Sequence, residues 1–316
     1  MKKAFEKLNL RDYGVLLGFL ALCIAISIAT PSFLGKQNIL NLLRQSSIIG
    51  IISAGMTFVI ISGNFDISVG AVAALAGAIT MKFATGGTNL FASMFLGVAI
   101  CAVIGLINGI VVAKINVPSL IATMAMVTIV RGLLLMFTGG YPITENIPIL
   151  DYIGNGYLFN IPIPVVIFFI VVLVSFIVLN KTKFGRYVYS VGGNQEASKL
   201  NGINVDSHKV KVFIINAVLA GIAGIVLTGR LGTATAIAGE GYDMDAIASV
   251  VIGGTSVAGG SGSVLKTVIG VLLMSVINNS FNLLGIDVYF QYIFKGLIIL
   301  AAVGFDSYSK KKLASR

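Results

Sequence analysis

Tryptophan is absent from the 316 residues, histidine occurs once, cysteine twice and proline six times. Each scarcity excludes something. With His208 as the sole histidine, a Ser–His–Asp catalytic triad or a histidine-based metal centre has almost no material. Cys23 and Cys101 both lie within apolar runs, so neither a disulfide framework nor a zinc site is expected. Without tryptophan, any interfacial aromatic belt falls to tyrosine and phenylalanine.

Charge is scarce as well. Only 11% of residues are charged and 57% are apolar, against about a quarter charged in a soluble domain. This is the composition of an integral membrane protein with far more apolar length than one anchor needs. Acidic residues are the rarer sign, 12 against 22 Lys and Arg, for a net charge of +10. Such a balance would suit nucleic acid, but the charges gather at the ends of apolar runs, so no nucleic-acid partner is expected.

Ten apolar segments follow, near 13–30, 47–62, 67–82, 91–113, 119–137, 163–180, 210–228, 246–259, 267–284 and 289–305. The fold expected is all-α: one polytopic membrane domain over 1–316 with about ten spans. The second, third and eighth segments are short and rich in Gly, Ser and Ala, as in helices that pack backbone to backbone or break beside a cavity. The N-terminal MKKAFEKLNLR resembles a signal peptide, but the apolar run continues to about Ala29 without a small-x-small cleavage site. It reads as a retained first helix. With both termini cytoplasmic, sixteen of the 22 Lys and Arg fall inside, while Glu145, Asp151, Glu240, Asp243, Asp245 and Asp287 fall outside.

The largest polar interruption is Lys181–Lys211, with six Lys or Arg against Glu196 and Asp206. It is too short for a catalytic domain. A Gly185-Arg186 turn, a Gly192-Gly193-Asn194 turn and a short helix from about Gln195 to Leu200 are expected there. Glu196 in the first turn and Lys199 in the last suit the helix dipole, and Gly202 supplies a stop. Such a helix fits a partner's groove; contact with anionic lipid is the alternative. Outside, Thr138–Pro162 reads as an ordered, non-helical cap, and Arg230–Asp245 carries the acidic turn GEGYDMD. Both are candidate contacts for an external partner, or plain solvated connections.

Two further motifs invite chemistry. In Ser62-Gly-Asn-Phe-Asp-Ile-Ser-Val-Gly70, Asp66 is the only carboxylate between Asp12 and Glu145. N-capping of the third segment is the economical reading, and proton coupling the sharper one. The stretch from Gly253 to Thr267 suggests a phosphate loop, but Leu265 precedes Lys266 where that loop needs glycine. A glycine hinge between close-packed helices fits better. Internal duplication is hinted at twice, with conflicting symmetry: Arg131-Gly-Leu-Leu-Leu against Lys295-Gly-Leu-Ile-Ile, five segments apart, and Val59-Ile-Ile-Ser-Gly against Val250-Val-Ile-Gly-Gly, six apart.

SGNFDISVG, GRYVYSVGGNQEASKLNGINV, GEGYDMDAIASVVIGGTSVAGGSGS and NNSFNLLGI, in this order, resemble the permease family of bacterial ABC importers for ribose and related monosaccharides. Within it the likeness is to the ribose type, and it runs from about Pro31 to Val303. Asn64-Phe65 departs from the family's usual Gly-Ile; Asp66, Ser68 and Gly70 remain. The resemblance implies a homodimeric pore in the bacterial inner membrane, in contact with membrane lipid. Two cytoplasmic ATP-binding subunits, or one with fused halves, and an extracytoplasmic sugar-binding protein would serve it. It implies ATPase docking through Gly185, Arg186, Gly193, Asn194, Glu196 and Ala197. No cofactor, metal or catalytic residue is expected in the chain itself.

Candidate pathway or gating residues are Asp66, Ser68, Asn108, Gly253, Gly254, Asn278 and Asn279. The amides, Asn282 among them, either line a pore for an uncharged sugar or tie helices together. Glu240, Tyr242, Asp243 and Asp245 are candidate binding-protein contacts. An ion-coupled secondary transporter would need intramembrane acids, of which Asp66 alone is offered. A membrane-embedded enzyme would need a nucleophile and base that are missing.

Overall fold

The computed structural model describes residues 10–314; Lys2, Lys3, Lys7 and Arg316 of the expected inner charge set lie outside them. Each of the ten apolar segments is a helix: α1 (Leu10–Ala29), α2 (Lys36–Ile61), α3 (Val69–Thr85), α4 (Leu90–Ala113), α5 (Ser119–Thr138), α7 (Ile163–Lys181), α10 (Val205–Leu231), α11 (Tyr242–Ile252), α12 (Val264–Leu283) and α13 (Val288–Ala314). Three shorter helices lie between: α6 (Pro148–Asn155), α8 (Lys183–Gly193) and α9 (Gln195–Leu200). Among the described residues, six helices are long and apolar enough to cross a membrane: α2, α4, α5, α7, α10 and α12.

Burial separates a core from a lipid-facing shell. The apolar window of α2 is 94% buried and that of α7 only 22%. On α7 the exposed large apolar side chains are Phe169, Ile170, Leu173, Val174 and Ile177, which lipid accepts without cost. At the centre, α10 packs on α2, α3 and α4. Small residues let these backbones approach: a Cβ on Gly224 of α10 would stand 1.9 Å from the Ala73 carbonyl of α3.

The packing pattern occurs twice. Helix α3 packs on α4 and α5 and crosses α10; α11 packs on α12 and α13 and crosses α2. Both are interrupted. Residues 62–68 rise without regular structure before α3, and residues 235–241 descend before α11. The two segments meet where Gly70 faces Gly239, each too close to the other's carbonyl for a Cβ. From that meeting point the helices run oppositely. Helix α3 leads to Lys82, which donates to the Phe137 carbonyl, while α11 leads to Gly253 against the Lys266 carbonyl. This is the inverted relation of segments five apart, and the Arg131 and Lys295 stretches occupy matching helices α5 and α13. The end of the Val59 stretch instead meets the turn that follows the Val250 stretch, with Gly260 N donating to Ile61 O at 2.8 Å.

The eighth segment is short and broken, as its length and glycines suggest. It is helical over 11 residues, about 16 Å at 1.5 Å per residue, and 253–263 are turns. The cap over 138–162 differs from expectation. It holds two short antiparallel pairs, β1 (Ile143–Thr144) with β4 (Thr233–Ala234) and β2 (Tyr157–Leu158) with β3 (Ile161–Pro162). It also holds α6, whereas the prolines suggested no helix. Pro148 occupies the first turn of α6, where its missing N–H costs nothing, and Asp151 follows in the same turn.

Candidate functional site

The polar segment after α7 is built from three consecutive caps. Thr182 Oγ1 accepts from Gly185 N (3.2 Å) and starts α8. Asn194 Oδ1 accepts from Ala197 N (2.9 Å) and starts α9. Asn204 Oδ1 accepts from Ser207 N (2.9 Å) and starts α10. Helix α9 spans the expected Gln195–Leu200, with Lys199 and Glu196 paired at 3.3 Å. The expected Gly-Arg turn is not a turn: Gly185 and Arg186 lie inside α8. Glycine is needed at 185 because a Cβ there would stand 2.1 Å from the Leu179 carbonyl.

Side-chain hydrogen bonds tie the helical hairpin together. Ser190 and Ser198 hydroxyls meet at 2.9 Å, and Lys209 Nζ donates to Gln195 Oε1 at 2.9 Å. His208, the lone histidine, packs its ring on Phe184 and Tyr187. Arg186, Gly193, Asn194, Glu196 and Ala197 are exposed, while Gly185 is buried. At the tip Leu200 is 90% exposed, an apolar anchor that charge-based reading passes over.

One side of the hairpin is fastened to the glycine turn of the bundle. Tyr189 OH donates to Gly262 O at 3.0 Å. Burial pushes its phenol above the ordinary value, so it stays a donor. A Cβ on Gly192 would stand 1.7 Å from Ile61 O and 2.7 Å from Gly260 N, whereas one on Gly193 would have its nearest neighbour at 3.9 Å. The close-packed glycine is therefore 192, the one the motif did not single out. The glycine turn at 253–263 that receives it begins at Gly253 and Gly254, the latter at φ +88°, and leads back into α11.

A second group of residues lies within the bundle. Asp66 Oδ1 accepts from Ser68 N (2.9 Å) and Ser68 Oγ (2.6 Å), and Oδ2 accepts from Asn216 Nδ2 (3.0 Å). Asn108 Nδ2 donates to Ser68 Oγ at 3.1 Å. Ser68 is the residue before α3 and its side chain makes no cap, so Asp66 serves as a tie between α3, α4 and α10 more than as a helix cap. Its counterpart is Asp245, whose Oδ2 accepts from Asn278 Nδ2 (3.4 Å) and whose Oδ1 lies 3.0 Å from Lys295 Nζ. Asn279 and Asn38 exchange two bonds at 3.0 and 2.8 Å. Asn108, Asn278 and Asn279 thus spend their amides on neighbouring helices.

The acidic turn is only partly exposed: Glu240 is exposed, Tyr242 and Asp243 are half-buried and Asp245 is buried. Arg131, thirteenth of the 20 residues of α5, donates to Ala238 O at 3.1 Å. Glu240, Tyr242 and Asp243 follow that carbonyl at mid-height of the bundle. Asp245 is 3% exposed and ion-paired; its carboxylate has no face to offer an external protein. Sequence reading missed this because an acidic, glycine-rich stretch between apolar runs looks like a solvated loop.

Two interrupted helices meeting inside an apolar bundle, with one capped polar hairpin at its end, define a multi-pass membrane protein of the permease class. The chain belongs to the family described as "Branched-chain amino acid transport system / permease component", which matches residues 38–303. It is similar to the ribose import permease protein of Haemophilus influenzae, 44% identical over 303 residues that cover 93% of this chain and 94% of the relative. The ribose import permease protein of Bacillus subtilis is 43% identical, with 94% and 93% covered. The L-arabinose transport system permease protein of Escherichia coli is 35% identical, with 95% and 92% covered. No solved structure matches the chain. The chain is a transport component of the ABC importer class.

Proposed function

We propose that the chain is the membrane-spanning subunit of an ATP-driven importer for a monosaccharide, with ribose as cargo, in the bacterial inner membrane. It forms one permease domain with about ten membrane helices, some short or broken, and both termini cytoplasmic, and pairs with a second copy. ATP is hydrolysed by a cytoplasmic partner that docks on residues 181–211. An extracytoplasmic sugar-binding protein delivers the cargo at the opposite end, where the cap of α6 and the short strands exposes Tyr141, Tyr152 and Phe159. The family's description names amino acids, but relatives matching nearly the whole chain are named for ribose and L-arabinose, which favours a sugar.

The observation that carries the mechanism is a continuous mechanical path. Helix α9 is fixed to α8, α8 to the end of α2 and to the glycine turn through Gly192 and Tyr189, and that turn to the interrupted helix α11. Motion of the docked hairpin is thereby delivered to the point where the two broken helices meet. The test is reconstitution in proteoliposomes with the cognate ATPase and binding protein. Labelled ribose should accumulate only with ATP on the ATPase side. Accumulation driven by a proton or sodium gradient without ATP would overturn this reading in favour of a secondary transporter.

A further inference from the structure

Three charged groups, the half-buried Arg131 and Asp243 and the exposed Glu240, border one cavity of about 650 Å³ between α5, α13 and the descending segment. That volume is within the range of small-molecule sites, about 300–1,000 Å³. Arg131 spends one of a guanidinium's five N–H donors on Ala238 O, and Glu240 and Asp243 attract it electrostatically. A guanidinium and two carboxylates at mid-height facing lipid are costly, so such groups line water or a polar ligand. The remaining wall is apolar or weakly polar, from Met124, Thr128 and Tyr292.

A planar donor fork beside carboxylate acceptors is complementary to adjacent hydroxyls of a sugar: the fork donates to hydroxyl oxygens, and the carboxylates accept hydroxyl hydrogens. The apolar wall suits the C–H face of the ring. We propose that this cavity is a transient binding site for a polyhydroxylated sugar on its way through the membrane, with Arg131 and Asp243 holding neighbouring hydroxyls. The proposal rests on the reading of the chain as a sugar permease. It adds a selective step inside the membrane to any selection by a delivering protein, and its residues differ from the amides that tie helices.

The experiment uses the whole transporter in proteoliposomes. Thr128→Cys should react with a charged, water-borne thiol reagent above the wild-type background of Cys23 and Cys101. Ribose at about tens of millimolar, suited to a weak site, should slow that reaction, and an equal concentration of betaine should not. Arg131→Gln and Asp243→Asn should each raise the KM for ribose about tenfold and change the ranking among ribose, arabinose and xylose, with ATPase assembly retained. Modification of Thr128→Cys by uncharged, membrane-permeant reagents alone would place the cavity against lipid and overturn the proposal. So would modification that ribose does not slow, or unchanged KM and ranking in both variants. Absence of ATP-driven ribose uptake by the unmodified transporter would instead overturn the sugar-permease reading.

Discussion

Asp245 and Lys295 form a charge pair with side-chain exposures of 4% and 21%, in a bundle where neither charge regains full hydration. Removing one partner from a buried pair costs about 3–5 kcal/mol, because the other charge is left uncompensated. Lys295→Met should therefore lower the thermal midpoint of the purified protein sharply, and Asp245→Asn with Lys295→Met should recover much of the loss. Glu196 is the opposite case. It is 82% exposed and its pair with Lys199 is a surface pair, worth about 0–1 kcal/mol. Glu196→Lys should leave the midpoint unchanged, release the ATPase in co-purification and abolish uptake. An unaltered uptake rate would remove Glu196 from the docking surface. Both residues are visible in the sequence as charges, but only Glu196 lies in the local setting that the sequence suggests. Glu196 follows from a local pattern, a cap and a four-residue dipole arrangement. Asp245 depends on Lys295, fifty positions away, and no local pattern announces that partner.

At the scale of elements, the helices were legible because apolar runs in a membrane have one stable backbone solution. The interruptions were not, because a broken helix and a solvated loop share the same glycine and acid content. The two segments that meet at Gly70 and Gly239 are recognisable only once α4 and α10 enclose one and α5 and α13 the other. The hairpin shows a similar limit. The Gly192-Gly193 pair reads as a turn, but the structure gives the two glycines unequal duties. Gly192→Ala should detach α8 from the end of α2, lowering both the thermal midpoint and uptake, since the added carbon would stand 1.7 Å from Ile61 O. Gly193→Ala should keep the fold, with the nearest neighbour at 3.9 Å. Equal thermal midpoints for the two variants would contradict the close contact. Tyr189→Phe removes a single hydrogen bond to Gly262, a loss of about 1 kcal/mol. It should leave docking intact while reducing sugar moved per ATP consumed, measured as uptake and phosphate release in the same vesicles.

At the scale of the molecule, two inverted sets of helices place two interrupted helices point to point, one leading toward the basic end and one toward the opposite end. The repeat was faint in the sequence because its clearest traces, Arg131-Gly-Leu and Lys295-Gly-Leu, are short and lie among apolar residues that match by chance. What the fold adds is the use of those cations: one reaches the cavity and the other holds α11. The central claim is that movement of the docked hairpin reaches α11. It is tested by spin labels at Leu200→Cys on α9 and Met244→Cys on α11, both exposed positions, with Cys23 and Cys101 replaced by alanine. Pulsed electron–electron distance measurements on the assembled transporter should show the distance distribution shift when ATP binds and return after hydrolysis, and Tyr189→Phe should diminish the shift. An unchanged distribution in a complex that still imports sugar would contradict the account.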